Sequence, residues 1–327
     1  MKFAMVSDSQ FNGKIPEKMN GNVFDWAVLF EGWHFWIHDI KKDFQRLNEF
    51  DVVLMVDVSR WFMLAIDMMK SAKNPKYIFY PEGGDDVYFR GTFEEQKLGC
   101  EIFKRVDLIG CADEDWIEFY NTLFGNKAFF MHVPMPEFIT NYSFWRDWQS
   151  KGDEILVCCN LGLDKERHKT NLIKAVAAIK KSNMNCVMVE IPEQHANFIT
   201  DTFGINIRVS PRVDMITYAD KFVARSLCLL NLSDIIGTSR NAIVGVGCGT
   251  PVIGNVKSHT QRRLFPDLAI DPLDISRISE LIKKLILDKE YYAYVCGQAK
   301  EKLSYYNTEN ALRRFNEAIK SRETIAI

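Results

Sequence analysis

Three clusters in the sequence hold side chains able to do chemistry. The segment 160–170 carries Lys165, Arg167, His168 and Lys169 between an apolar run, residues 154–159, and a helical pattern, residues 171–181. Four basic groups at a strand-to-helix junction have little to pack against. Beside a helix N-terminus they add to its positive field and draw a diphosphate. The segment 237–255, GTSRNAIVGVGCGTPVIGN, passes from a Gly/Thr/Ser turn into a short apolar helix and then a strand at 252–253. Ser239 stands at the N-cap position, and the N–H groups of the turn that follows, with Arg240 and Asn241, form a second phosphate site. The third cluster, Pro81-Glu82-Gly83-Gly84-Asp85-Asp86, follows the apolar run 76–80. Its glycines let backbone approach a ligand, and a carboxylate such as Glu82 or Asp85 with a tuned pKa serves as a general base. Each cluster also has a plain reading: a solvated basic loop, an ordinary capped helix, an acidic turn.

These groups need a scaffold, and the apolar runs supply one. Residues 2–7, 51–56, 76–80, 106–112 and 127–133 read as strands, and the stretches between most of them carry helical spacing. Residues 154–159, 186–191, 205–209, 227–232 and 252–253 repeat the pattern, so the class is α/β with parallel sheets. In such sheets the loops after the strands line the ligand crevice. Asp8, Gln10 and Asn12, after the first strand, therefore face either a substrate or solvent. Residues 23–48 read as one long helix containing GWHFWIHDI. Neighbouring positions diverge around a helix, so Trp33, His34, Trp36 and His38 cannot all enter one core. Trp33 and His34 are candidates for a sugar-binding face, against the plainer packing stripe. Two histidines four apart also match a metal pair, but no third ligand accompanies them, and no metal is expected.

At 327 residues the chain is long enough for two cores. Its 47% apolar and 26% charged residues are those of a globular protein. No uncharged apolar run is long enough to cross a bilayer, and the start lacks the apolar core of a signal peptide. Eight cysteines show no CxxC pair, which favours buried reduced thiols and a cytoplasmic location over zinc or disulfides. The net charge of −2 hides an asymmetry: residues 1–150 carry 16 basic and 23 acidic residues, residues 151–327 carry 25 and 20. The basic half suits a nucleoside diphosphate; the acidic half, which holds all seven tryptophans, is a poor nucleic-acid platform. The glycines at 245, 247 and 249 precede a strand, whereas a dinucleotide fingerprint follows one.

The segment CGTPVIGN resembles the "acidic residue, Ala-Met-Ala, small residue, Gly-Thr-Pro-Val-Ile" segment of GT-B glycosyltransferases, especially retaining glycosyltransferase family four and its relatives. The 106–136 segment, VDLIGCADEDWIEFYNTLFGNKAFFMHVPMP, is similar to the family's closing segment before the interdomain linker. The resemblance implies two Rossmann-like doubly wound domains facing across a cleft. The first, 1–140, would hold the acceptor, and the second, 141–306, the nucleotide sugar. A last helix, 307–327, would return to the N-terminal domain. It also implies that Arg167 and Lys169 contact the donor phosphates, that Arg212 lies where the base binds, and that the Glu82–Asp85 loop is where acceptor and sugar meet. One departure stands out. The family carries two glutamates eight apart, and the aligned positions here are Ile236 and Val244. Neither accepts a hydrogen bond from a sugar hydroxyl. Asn231, Ser233 or Asp234 is the nearest substitute for the ribose.

The expected function is thus transfer of a sugar from a UDP- or GDP-sugar to a hydroxyl acceptor, metal-independent and retaining by resemblance. The acceptor is a glycan, a lipid-linked glycan or a modified DNA base, the last as in phage enzymes that decorate hydroxylated pyrimidines. A non-catalytic sugar-nucleotide binder is the alternative of another class. The oligomeric state is not legible.

Overall fold

A computed structural model of the chain describes residues 1–7, 12–14, 32–56, 61–81, 92–132, 134–158, 166–189, 191–233 and 239–323; for 166–171, 322 and 323 it describes backbone alone. The chain divides into two compact units, Met1–Pro134 with Glu309–Ile327, and Met135–Thr308. Among the described residues no helix is long and apolar enough to cross a membrane.

The first unit is built on β1 (Phe3–Ser7), β2 (Gly13–Lys14), β3 (Trp33–Trp36), β4 (Val52–Val56), β5 (Lys76–Tyr80), β6 (Leu108–Cys111) and β7 (Ala128–Phe130). Their order is β2-β3-β1-β4-β5-β6-β7, and every pairing except β2 with β3 is parallel. β1 and β4 are buried along their whole length, as strands covered on both faces must be. Their side chains alternate between two layers. Ala4, Val6, Val53 and Met55 join a core with α1 (Phe62–Ser71), α2 (Phe93–Arg105) and α3 (Trp116–Phe124). Phe3, Met5, Val52 and Leu54 pack instead with Ala311, Phe315 and Ile319 of the C-terminal helix, Thr308–Glu323. α2 starts at a capping box, in which the Thr92 side chain and Glu95 satisfy each other's backbone N–H.

One element departs from the sequence pattern. The expected helix over residues 23–48 is, where described, strand β3 followed by one helical turn, Ile37–Ile40, and a 3₁₀ segment, Phe44–Glu49. Trp33, Phe35 and Trp36 are residues that favour a half-buried pleated surface, and β1 offers an open neighbour. A short apolar run has no periodicity long enough to tell helix from strand.

The second unit holds β8 (Ile155–Val157), β9 (Cys186–Val189), β10 (Ile207–Ser210), β11 (Cys228–Asn231), β12 (Val252–Asn255) and β13 (Ala269–Ile270), all parallel, in the order β10-β9-β8-β11-β12-β13. Counted from β8 this is the 3-2-1-4-5-6 order of a Rossmann sheet. Its helices are α4 (Glu166–Ser182), α5 (Glu193–Phe203), α6 (Arg240–Gly247), α7 (His259–Leu264), α8 (Ile275–Leu287) and α9 (Lys289–Lys302). α4 begins five residues before the pattern suggested, so Arg167, His168 and Lys169 belong to its first turn and not to the loop ahead of it.

The Gly-Thr-Pro turn between α6 and β12 is fixed by close contacts. Gly249 has φ +64°, and a Cβ there would come within 2.9 Å of the Arg146 carbonyl oxygen and 3.0 Å of the Trp145 ring. Only glycine meets both demands. Gly249→Ala is expected to cost about 2–4 kcal/mol through left-handed strain and overpacking combined, read as a lowered urea midpoint. An unchanged midpoint would show that this turn relaxes freely.

Candidate functional site

The second unit's strand order reverses between β8 and β11, which are hydrogen-bonded neighbours although 70 residues of chain separate Cys228 from Val157. In an open α/β sheet, ligands bind at such a switch point, beyond the carboxyl ends of the strands. Chain leaving β8 enters α4, and chain leaving β11 enters α6. Two helix N-termini therefore follow adjacent strands in a parallel sheet. They carry Arg167 and Lys169 in the one case, and Ser239, Arg240 and Asn241 in the other.

Around the α6 start the side chains form a linked network. Ser239 holds the N-cap position but makes no capping bond with its side chain. Instead its Oγ accepts a hydrogen bond from Asn231 Nδ2, at the end of β11, at 2.8 Å. Its carbonyl accepts from Ala242 and Ile243. Asn255, at the end of β12, donates through Nδ2 to the Ser233 carbonyl at 2.8 Å and so braces the chain leaving β11. Tyr218, which opens a π-helical turn (Tyr218–Phe222), donates to Asn241 Oδ1 at 3.3 Å and lies 4.0 Å from Cys158 Sγ, just past β8. π-turns recur at functional sites, where the extra residue re-aims a side chain. Burial pushes the Cys158 thiol up to about 12, against a smaller opposite effect of the Tyr218 bond, so this sulfur stays protonated and inert. Behind the site, α6 is buried from Ala242 to Gly247. Val244, one of the two positions where the family has glutamate, is in that core at 1% exposure and faces no ligand; Ile236, the other, lies outside the described residues.

Lys151 anchors the same helix from below. Its ammonium donates to the carbonyls of Ala224 (3.0 Å) and Cys248 (2.9 Å) and to Thr250 Oγ1 (2.6 Å). Burial lowers its pKa to about 8. Neither Lys151 nor Tyr218 stands out in the sequence. The first stands in a polar linker and the second in an undistinguished MITYADKF run, and no motif marks either. Arg212 is exposed just after β10, two strands out from the switch point, roughly 10 Å along the sheet.

In the first unit, Glu82 and Asp85 lie outside the described residues, as does Asp8. Asn12 and Trp33 do meet: with Gly13, Phe35, Asp39 and Arg46 they line a cavity of about 340 Å³. Asn12 donates to Asp39 at 2.6 Å and accepts from the Trp36 backbone at 2.8 Å. The Arg46 guanidinium sits 5.3 Å over the Trp33 ring and 5.1 Å over Phe35. His34 is different. It is fully buried within β3, its Nε2 paired with Ser7 Oγ at 2.8 Å, so it belongs to the sheet and not to an exposed aromatic face. The helical i, i+4 histidine pair is likewise absent, since His34 is on a strand and His38 on the turn after it. Among the described residues no cluster of three or more His, Cys, Asp or Glu side chains is placed to hold a metal ion.

Neither a protein-family model nor a curated protein sequence matches the chain. Solved structures do. HepE from Anabaena, in complex with UDP, superposes with a TM-score of 0.72 at 10% identity over 98% of this chain and 100% of its own. An α,α-trehalose 6-phosphate synthase from Burkholderia multivorans gives 0.71 at 10% identity, with both chains covered in full. An α-glucosyltransferase in complex with UDP-glucose and abasic DNA gives 0.62 at 12% identity over 97% of this chain and 98% of its own. With a doubly wound sheet in each unit and whole-chain superposition on these enzymes, the protein has the fold of the GT-B glycosyltransferases.

Proposed function

We propose that this protein is a nucleotide-sugar-dependent glycosyltransferase that binds its donor in the second unit and its acceptor in the first. The observation that carries the reading is the adjacency of β8 and β11. It brings two helix starts to one edge of the sheet, the first with Arg167, His168 and Lys169 in its opening turn, the second with Ser239, Arg240 and Asn241. Arg167 and Lys169 in the first turn of α4 oppose that helix's macrodipole, a local cost that a bound diphosphate reverses. Ser239, Arg240 and Asn241 complete a set able to stabilise the departing diphosphate as charge builds on it. HepE was solved with UDP and with UDP-glucose, which favours a UDP-sugar over a GDP-sugar.

The chemistry then runs through positioning. The donor's pyrophosphate is gripped at the switch point and the anomeric carbon points towards the acceptor hydroxyl; the bond to the β-phosphate oxygen breaks as the new glycosidic bond forms, and the hydroxyl proton passes to the departing phosphate. Transfer without a metal is in keeping with the cationic residues, since Arg and Lys would take the part that a divalent ion plays elsewhere; retention rests on the resemblance to family four. Glu82 and Asp85 would orient the acceptor hydroxyl, and Asn12 and Trp33 the rest of the acceptor. A thermal-shift screen of UDP-glucose, UDP-N-acetylglucosamine and GDP-mannose tests the reading. At a hundredfold excess over Kd a true donor stabilises the fold by about 2.7 kcal/mol, or roughly 5–10 °C. No shift with any nucleotide sugar, free UDP or GDP would sink it.

A DNA acceptor is the second reading, favoured by the α-glucosyltransferase solved with DNA. It requires an affinity for DNA that falls steeply with salt. The acidic first 150 residues weigh against it.

A further inference from the structure

We infer that Tyr218 is a positioning residue, whose hydroxyl turns the Asn241 amide so that its N–H₂ group is left to donate to a diphosphate at the switch point. The inference rests on the proposed donor site and adds a residue that no motif assigns to it.

The geometry is specific. An asparagine side chain has one acceptor oxygen and two N–H donors, and a phosphate can use only the donors. Left to itself, the half-buried Asn241 has two orientations of nearly equal shape, of which one presents its oxygen to the anion. The Tyr218 hydroxyl donates to Asn241 Oδ1 at 3.3 Å, and with the phenol as donor the amide takes the other. The phenol is held in turn by its surroundings. It is half-buried, it reaches the Cys158 thiol at 4.0 Å, and it stands at the head of the π-helical turn, where Thr217 before it is pinned by the Asp214 side chain at 2.9 and 2.7 Å. Cys158 cannot compete as an anion, because burial keeps it protonated. The same logic acts two residues earlier on an independent pair. Asn231 Nδ2 donates to Ser239 Oγ, which leaves the Ser239 hydroxyl proton to point elsewhere. Two side chains at the switch point thus each have an acceptor oxygen engaged by the protein and a donor left over. That polarity selects an anion and carries no carboxylate for a sugar hydroxyl, in keeping with valine at position 244.

The test measures binding of UDP, GDP, uridine and guanosine by calorimetry to the full chain and to Tyr218→Phe, which keeps the ring and removes only the hydroxyl. The expected result is about a tenfold weaker Kd for the nucleoside diphosphate, the size of one hydrogen bond to a charged group, with nucleoside affinity within twofold and the melting temperature of the free protein within about 1 °C. In an Asn241→Ala background the same change is expected to do nothing further, since the two act as one unit. In transfer assays Tyr218→Phe raises KM for the donor more than it lowers kcat. The inference is overturned if Tyr218→Phe binds the diphosphate within twofold of the parent. It is equally overturned if nucleoside affinity falls in parallel, or if the loss persists undiminished beside Asn241→Ala. Should the parent protein bind neither UDP nor GDP, the donor-site reading fails first and this inference with it.

Discussion

Replacing Arg167 and Lys169 together by alanine is expected to lower kcat/KM for sugar transfer by about a thousandfold while leaving the free protein as stable as before, or slightly more so. The two effects have opposite signs for one reason. A charge-assisted hydrogen bond to phosphate contributes roughly 1.5–3 kcal/mol, and two of them amount to two to four powers of ten. Both residues, however, stand in the first turn of α4, where a cation faces the positive end of the helix dipole. Removing each one relieves about 0.3–1 kcal/mol in the free protein. A residue kept only for packing would behave the other way, with stability falling and activity following it. Steady-state kinetics beside a urea titration separates the cases. Loss of stability with transfer intact would remove these residues from the site. Arg167→Lys is the finer probe, because it keeps the charge but loses the two-pronged contact.

Raising the pH is expected to unfold the second unit while the first still holds. Burial pushes the thiols of Cys158, Cys186, Cys228, Cys248 and Cys296 up to about 12, from an ordinary value of 9.0, and all five belong to the second unit. A group whose pKa is raised by folding gives stability that is whole below the unfolded value and disappears as pH climbs towards the folded one. At pH 10, above the ordinary thiol value and below the folded one, each thiol withdraws on the order of 1 kcal/mol, and the five together several. Lys151 acts in the opposite direction. Its pKa is lowered on folding from 10.5 to about 8, so its burial penalty is relieved across that interval, by up to about 3 kcal/mol. Five thiols outweigh one lysine, so the balance is a loss on the order of a few kcal/mol that grows with pH, comparable to the whole stability of a typical domain. Five of the seven tryptophans precede residue 134, so indole fluorescence reports chiefly on the first unit. Far-UV ellipticity is expected to fall between pH 10 and 11, before most of the fluorescence changes. Stability that stays level to pH 11 would contradict the buried-thiol account, and Cys228→Ala should shift the transition upward.

Most of the architecture is legible in the chain, because a buried parallel strand has to be a run of apolar residues and β1, β4, β5 and β11 are such runs. The Gly-Thr-Pro turn is legible for a related reason, since a left-handed residue packed against Trp145 leaves glycine as the only choice. What escaped is local in another sense. Trp33 to Trp36 form a strand because β1 stands open beside them, and a window of four residues cannot report a neighbour distant in sequence. The start of α4 is hard to read in the sequence, because lysine and arginine beside a helix N-terminus go against the usual charge preference. Tyr218 and Lys151 act through hydrogen bonds to residues 23 and 99 positions away, at Asn241 and Thr250, which spacing cannot reveal. The cationic residues were legible because type alone suggests their chemistry. Their partners were not.

The placement of Phe315 also governs the order of events on the ribosome. Among the described residues, the helix that covers one layer of the first sheet is the C-terminal one, through Ala311, Phe315 and Ile319. Phe3, Met5 and Leu54 are made more than 250 residues ahead of these partners and must wait for them. Translation at about 5–20 residues per second leaves that apolar layer uncovered for roughly 15 s or more. The unit synthesised second can therefore mature first. A chain cut short at residue 308 would emerge with one face of its first sheet bare, a substrate for chaperones and proteases instead of a half-active enzyme.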